Sequence, residues 1–347
     1  MNSPRIDPAC TRMFREASEA PAAVARQLAA NREAIAAIAY AMRSAPPRAI
    51  VTCARGSSDH AATFAKYLFE TRLGILTASA APSVASVYGA RPDLTDCLFL
   101  AISQSGRSPD LVAAARGARE AGARVVAIVN DAASPLAQAA DHTLPMHAGD
   151  ELSVAATKSY IASLAAIVHL AEAWSGDPAL RRALDAAPRD LERAWQLDWK
   201  PLVDRLATAS DLYVIGRGVG LGVTQEAALK CKETCGLHAE SFSSAEVRHG
   251  PQALLKPAFP ALLFAQADET REGVETLAAE LAGRGIDVFL AGANAAGARA
   301  LPMIDAHPAI APMLFAQAFY RAANALAIAR GHNPDEPPHL TKVTRTI

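Results

Sequence analysis

The sequence predicts an α/β protein: two doubly wound parallel-sheet subdomains related by internal duplication, preceded by an N-terminal helical segment. Three observations predict it. From Ala49 onward, short apolar β-like runs alternate with longer helical patterns, as in a parallel sheet covered by helices. The alternation occurs twice, at an offset of 162 or 163 residues that sets Arg55-Gly56 against Arg217-Gly218 and Gly122 against Gly285. The apolar runs also end in small polar turns, and open parallel sheets hold their ligands beyond the carboxyl ends of their strands.

Taken in order, Thr11 to Ser44 reads as helix within an N-terminal segment, 1–45. The first series of strands is Ala49–Cys53, Cys97–Ile102, Arg124–Val129 and His142–Met146, within a subdomain at 46–180. The apolar stretch Tyr160 to Trp174 carries His169 and Glu172 and is too short to span a bilayer, so it reads as a core helix. A charged helical stretch, Ser175 to Lys200, links the halves. The second series is Leu212–Ile215, Pro260–Ala265, Asp287–Ala291 and Met303–Ala306, within 200–335, and a tail follows at 336–347.

Composition excludes several functions. With 34 basic and 35 acidic side chains in 347 residues, there is no basic surplus to hold nucleic acid or an anionic membrane. The five cysteines form no framework; Cys53 and Cys97 lie in strand-like runs and Cys231 and Cys235 are four apart on a helix, with no second Cys/His pair. No zinc site is expected, and a reducing cytoplasm fits best. Met1 to Arg15 lacks the apolar core of a signal peptide.

The chemistry is concentrated at a few turns and one helix. Ser103-Gln104-Ser105-Gly106-Arg107-Ser108 follows a strand and opens a helix, whose N-terminal N–H groups and dipole favour an anion such as a phosphate monoester. Ser57 and Ser58 open the helix after the first strand and offer a similar terminus; either serine could equally be a plain cap. The second half carries Gln266-Ala267-Asp268-Glu269 where the first has its serine loop, and two carboxylates there would repel a phosphate. Its glycine-rich turn, Gly216 to Gly222, resembles a dinucleotide fingerprint but has Leu221 where the third glycine belongs. On the next helix Glu226, Lys230 and Glu233 share one face at i, i+4 and i+7, either as a solvated salt-bridge stripe or as a proton-shuttling cluster. His249 stands in the turn Arg248-His249-Gly250-Pro251.

At these residues the chain resembles the double sugar-isomerase (SIS) family, which includes the isomerase domain of glucosamine-6-phosphate synthase and SIS-type glucosamine-6-phosphate deaminases. The motifs, in order, are Met13-x-x-Glu16-x-x-Glu19-x-Pro21, Ser103-Gln104-Ser105-Gly106, Glu226-x-x-x-Lys230-x-x-Glu233, Arg248-His249-Gly250-Pro251 and Leu340-Thr341-Lys342. The resemblance covers nearly the whole chain and implies two flavodoxin-like SIS subdomains. It implies that Ser57, Ser58, Ser103, Gln104, Ser105 and Ser108 hold a sugar phosphate and that Glu233 transfers the proton, with Glu226 and Lys230 beside it. It further implies that His249 opens the sugar ring across a homodimer interface, and that Lys342, on a tail closing the site, can form an iminium. No metal or cofactor is implied. The family's V-A-S-T-K segment is Val154-Ala155-Ala156-Thr157-Lys158, so Ala156 lacks a hydroxyl expected in the sugar pocket. The sequence shows no glutamine-hydrolysing domain, and this favours deamination of glucosamine 6-phosphate to fructose 6-phosphate and ammonia. The alternatives are an aldose–ketose phosphosugar isomerase, a synthase-like aminotransferase fed by free ammonia, and a non-catalytic sugar-phosphate-binding regulator.

Overall fold

The computed structural model of the protein describes residues 7–342; residues 1–6 of the N-terminal segment and 343–347 of the tail lie outside it. The described chain divides into two compact units. One holds residues 22–151, 158–186 and 341–342; the other holds 7–21, 152–157 and 187–340. Each contains one five-stranded, all-parallel sheet.

In the first unit the elements are α3 (Arg32–Ser44), β1 (Ala49–Cys53), α4 (Ser57–Leu73), β2 (Thr77–Ser79), α5 (Pro82–Ser86), β3 (Cys97–Ser103), α6 (Pro109–Glu120), β4 (Arg124–Val129), α7 (Pro135–Ala139), β5 (His142–Pro145) and α8 (Lys158–Ser175). The strand order is β2-β1-β3-β4-β5. All seven residues of β3 are buried, as expected of a central strand covered on both faces, so its apolar run is continuous rather than alternating. Cys53 pairs with Ala101 across β1 and β3, so the turns after these two strands emerge side by side at the carboxyl edge.

The second unit contains α1 (Arg12–Ser18), α10 (Lys200–Leu206), β6 (Asp211–Gly216), α11 (Leu221–Cys235), β7 (His238–Ser243), β8 (Ala261–Phe264), α12 (Arg271–Gly283), β9 (Val288–Ala291), β10 (Arg299–Leu301) and α13 (Ala311–Ala329). Its order, β10-β9-β8-β6-β7, is the order of the first sheet with β6 in the place of β1 and β8 in the place of β3. The duplication in the sequence is therefore one of topology. Two further helices, α2 (Ala20–Ala30) and α9 (Pro178–Trp195), run from one unit into the next. Thr11 fixes the start of α1: its hydroxyl accepts the Phe14 N–H at 3.1 Å and donates to Asn324 on α13 at 2.7 Å.

Two features differ from the sequence expectation. Edge strands β2 and β7 add to the expected strands; Thr77-Ala78-Ser79 and His238–Ser243 carry few apolar residues and so lack a strand signal. The last strand is Arg299–Leu301, not Met303–Ala306. Pro302 has no N–H for a ladder, and the chain leaves the sheet there, with its carbonyl accepting Trp199 Nε1–H at 3.0 Å. Among the described residues no helix is long and apolar enough to cross a membrane.

Candidate active site

In the first unit, both serine-bearing turns sit at the carboxyl edge of adjacent strands. The N-cap of α4 is Gly56, so Ser57 and Ser58 occupy the first helical turn and neither is the cap residue. In the second turn, Ser103 Oγ accepts the Gly106 N–H at 3.1 Å and Ser105 Oγ accepts the Arg107 N–H at 3.3 Å. A hydroxyl that accepts in this way keeps its own O–H to donate. Ser108 is the N-cap of α6, yet its side chain makes no capping hydrogen bond. Gln104, Ser105 and Ser108 are half-buried. Gly106 adopts φ +62°, and a Cβ there would stand 2.2 Å from Ser134 Oγ, so the loop depends on glycine at this position.

Sequence reasoning missed the tie between these turns. Arg55 Nε and Nη2 donate to Asp110 Oδ2 at 3.0 and 2.8 Å, joining the turn after β1 to the first turn of α6. The Asp110 carboxylate is buried and would oppose an anion at that helix terminus; the guanidinium offsets its charge. Burial, and then Asp110, push the Cys53 thiol up to about 12, so this cysteine is inert at neutral pH.

Lys342 lies in the same unit. Its ammonium is 3.2 Å from Glu151 Oε2, a buried carboxylate that also accepts Ser159 N–H at 3.1 Å and Ser159 O–H at 2.6 Å. Glu151 belongs to none of the sequence motifs, although it stands three residues before Val154. In the second unit, Val154 and Ala156 are half-buried, in a segment whose start is held by Glu16 of α1. Glu16 Oε1 accepts Leu152 N–H at 2.6 Å and Oε2 accepts Ser153 N–H at 3.1 Å. The Glu16 of the N-terminal motif is thus a backbone clamp.

The charged face of α11 is not a solvated stripe. The Glu226 and Lys230 side chains are 1% and 0% exposed, whereas that of Glu233 is 22% exposed. Lys230 Nζ lies 3.2 Å from Glu226 Oε1 and 2.7 Å from Glu233 Oε2. Burial pulls the Lys230 ammonium toward neutrality, but the two carboxylates outweigh it and hold its pKa above the ordinary lysine value. The cluster therefore carries one cation for two carboxylates, and of the three Glu233 is the member open to solvent. From α13, buried Tyr320 donates its hydroxyl to Glu226 Oε1 at 2.9 Å. His249 is exposed at the end of a 3-10 turn, Glu246–His249, immediately before Gly250 at φ +141°.

The glycine-rich turn after β6 is filled from within. Gln266 Nε2 donates to Arg217 O at 2.8 Å, and a Cβ at Gly220 would meet Gln266 Oε1 at 2.4 Å. The close approach that a dinucleotide phosphate would need is occupied by this buried side chain. Asp268 accepts the Thr270 N–H at 2.9 Å, just before α12.

Residues 45–173 and 205–296 match the SIS domain. The chain belongs to the SIS-domain family. Isomerizing glutamine–fructose-6-phosphate aminotransferases are homologous to it. That of Thermococcus kodakarensis is 31% identical over 350 residues, covering 95% of this chain and 57% of that protein. That of Pyrobaculum aerophilum is 33% identical over 347 residues, covering 95% and 56%. The chain thus spans about half the length of these curated relatives. Among solved structures, a protein of Silicibacter pomeroyi described as a phosphosugar isomerase superimposes with TM-score 0.90 at 44% identity, covering 94% of this chain and 100% of its own. A glucosamine-6-phosphate deaminase of Thermotoga maritima shares the fold, with TM-score 0.78 at 23% identity, covering 97% and 100%.

Proposed function

We propose that this SIS-family chain is a glucosamine-6-phosphate deaminase, converting glucosamine 6-phosphate and water to fructose 6-phosphate and ammonia. One observation carries the reading: a fully buried lysine clamped between two glutamates, of which Glu233 reaches solvent. A cluster so expensive to bury suits proton transfer at carbon better than surface stability. Relatives of 31–33% identity named for fructose 6-phosphate and an amino group support an aminohexose phosphate as substrate.

In this reading Ser57, Ser58, Ser103, Gln104, Ser105 and Ser108 hold the phosphate, and Val154 and Ala156 line the sugar. His249, contributed by the partner in a homodimer, opens the ring. Glu233 takes the C2 proton from the open aldehyde while O1 gains a proton, giving an enolamine; Glu233 then returns the proton to C1 as the amine loses one, leaving an imine at C2 and a hydroxyl at C1. Lys230 offsets the negative charge that develops, with Glu226 as its second counter-ion. Water adds to the imine, and ammonia leaves. Lys342, on the closing tail, is available to form an iminium with the open sugar and is held by Glu151 until it does.

The 44% identity to a protein described as a phosphosugar isomerase favours a second reading, aldose–ketose isomerisation without loss of nitrogen. A substrate panel of glucosamine 6-phosphate, galactosamine 6-phosphate and glucose 6-phosphate separates the two. Turnover of the first alone is expected, abolished in Glu233→Gln. Turnover of galactosamine 6-phosphate but not its epimer sinks the substrate; unchanged activity in Glu233→Gln sinks the mechanism.

A further inference from the structure

Tyr320 has no role in the reaction as set out above. Its ring is fully buried in α13. A phenylalanine would fill that space without a polar atom, so the hydroxyl must find an acceptor there, and it finds Glu226 Oε1 at 2.9 Å. The same oxygen is the one that meets Lys230 Nζ at 3.2 Å, while the lysine stands closer, at 2.7 Å, to Glu233 Oε2. One ammonium is shared unequally between two carboxylates, and the shorter contact falls on the glutamate that meets solvent.

Glu226 is buried and cannot shed its charge to water, so it needs donors from the protein. Tyr320 supplies one, which reduces what Glu226 demands of Lys230 and leaves the ammonium to hold Glu233. We propose that Tyr320 is a positioning residue for Glu233, acting through Glu226 and Lys230. The proposal rests on the deaminase reading for its catalytic consequence but not for its structural one. Without the hydroxyl, Glu226 draws the lysine back, and Glu233 loses the contact that fixes its carboxylate. Because the sugar phosphate is held by other groups, the loss falls on turnover and not on substrate affinity.

The test compares wild type, Tyr320→Phe, Glu226→Gln and the double variant by steady-state kinetics on glucosamine 6-phosphate. The same proteins, labelled with 15N at lysine Nζ, are compared by NMR at the Lys230 ammonium resonance. Tyr320→Phe is expected to lower kcat about 10- to 100-fold, as displacement of a reacting group does, with KM moved less than about twofold. The double variant is expected to be no slower than Glu226→Gln, since both changes act on one chain of contacts. The Lys230 resonance is expected to move in Tyr320→Phe. Unchanged kcat, a loss confined to KM, or losses that multiply in the double variant overturn the proposal. If wild type does not turn over the substrate, the deaminase reading fails on its own, and the resonance then decides: an unmoved Lys230 signal in folded Tyr320→Phe refutes the positioning link.

Discussion

Replacing Lys230 by methionine isolates the energetics of the α11 cluster. Methionine keeps the length and the apolar stem but removes the charge from a site with no exposure. Glu226 would then be a buried carboxylate that has lost its ammonium counter-ion, with the Tyr320 hydroxyl still donating to it. Breaking a buried ion pair from one side costs about 3–5 kcal/mol. The surviving hydroxyl, and the partial exposure of Glu233, place this case near the lower end, at about 3 kcal/mol. Removing the stranded charge as well, in Glu226→Gln/Lys230→Met, should restore most of that stability, because the penalty comes from the unpaired charge and not from the lost attraction. Guanidinium unfolding at pH 7 measures both, followed by the fluorescence of Trp195 and Trp199, which lie in the same unit as α11. A loss below about 1 kcal/mol in the single variant, or a double variant no more stable than the single, would refute the reasoning and return the cluster to a solvated stripe.

Other predictions follow from single contacts. Gly106→Ala forces a Cβ against Ser134 Oγ at a positive φ and should weaken phosphate binding, read by calorimetry with glucosamine 6-phosphate; unaltered affinity would remove the serine loop from the site. Glu16→Ala leaves the Leu152 and Ser153 N–H groups without their acceptor and should cost about 2 kcal/mol, with KM raised if this segment lines the sugar. His169 is held down to about 4 by burial and by Arg181 and Arg32. Between pH 4 and 6.5 the unfolded chain therefore binds a proton that the fold refuses, so stability rises with pH through that window and is complete above it. Acidification from pH 6.5 to 4 should cost about 3 kcal/mol, followed at Trp174 on the same helix, and His169→Gln should flatten the slope.

The central strands were legible because burial on both faces demands unbroken apolar runs, as in Cys97–Ser103. The edge strands were not, since β7 buries only part of its surface and carries Glu240, Ser241 and Ser243. Met303–Ala306 misled because apolar content alone does not reveal that Pro302 ends the ladder. On α11 the spacing of Glu226, Lys230 and Glu233 gave a shared face but not its environment, because a buried cluster and a surface stripe have the same period. Nothing local to Tyr320, 94 residues from Glu226, signals their contact. Arg55 with Asp110, and Glu151 with Lys342, are likewise long-range pairs made by the parallel sheet and the returning tail, and their meeting is set by topology.

The most direct test incubates the purified protein with glucosamine 6-phosphate and measures ammonia and fructose 6-phosphate in the same reaction. Both are expected in equal amounts from the wild-type protein, and neither from Glu233→Gln. Hexose phosphate interconversion without ammonia, or binding of the sugar phosphate without any product, would contradict it.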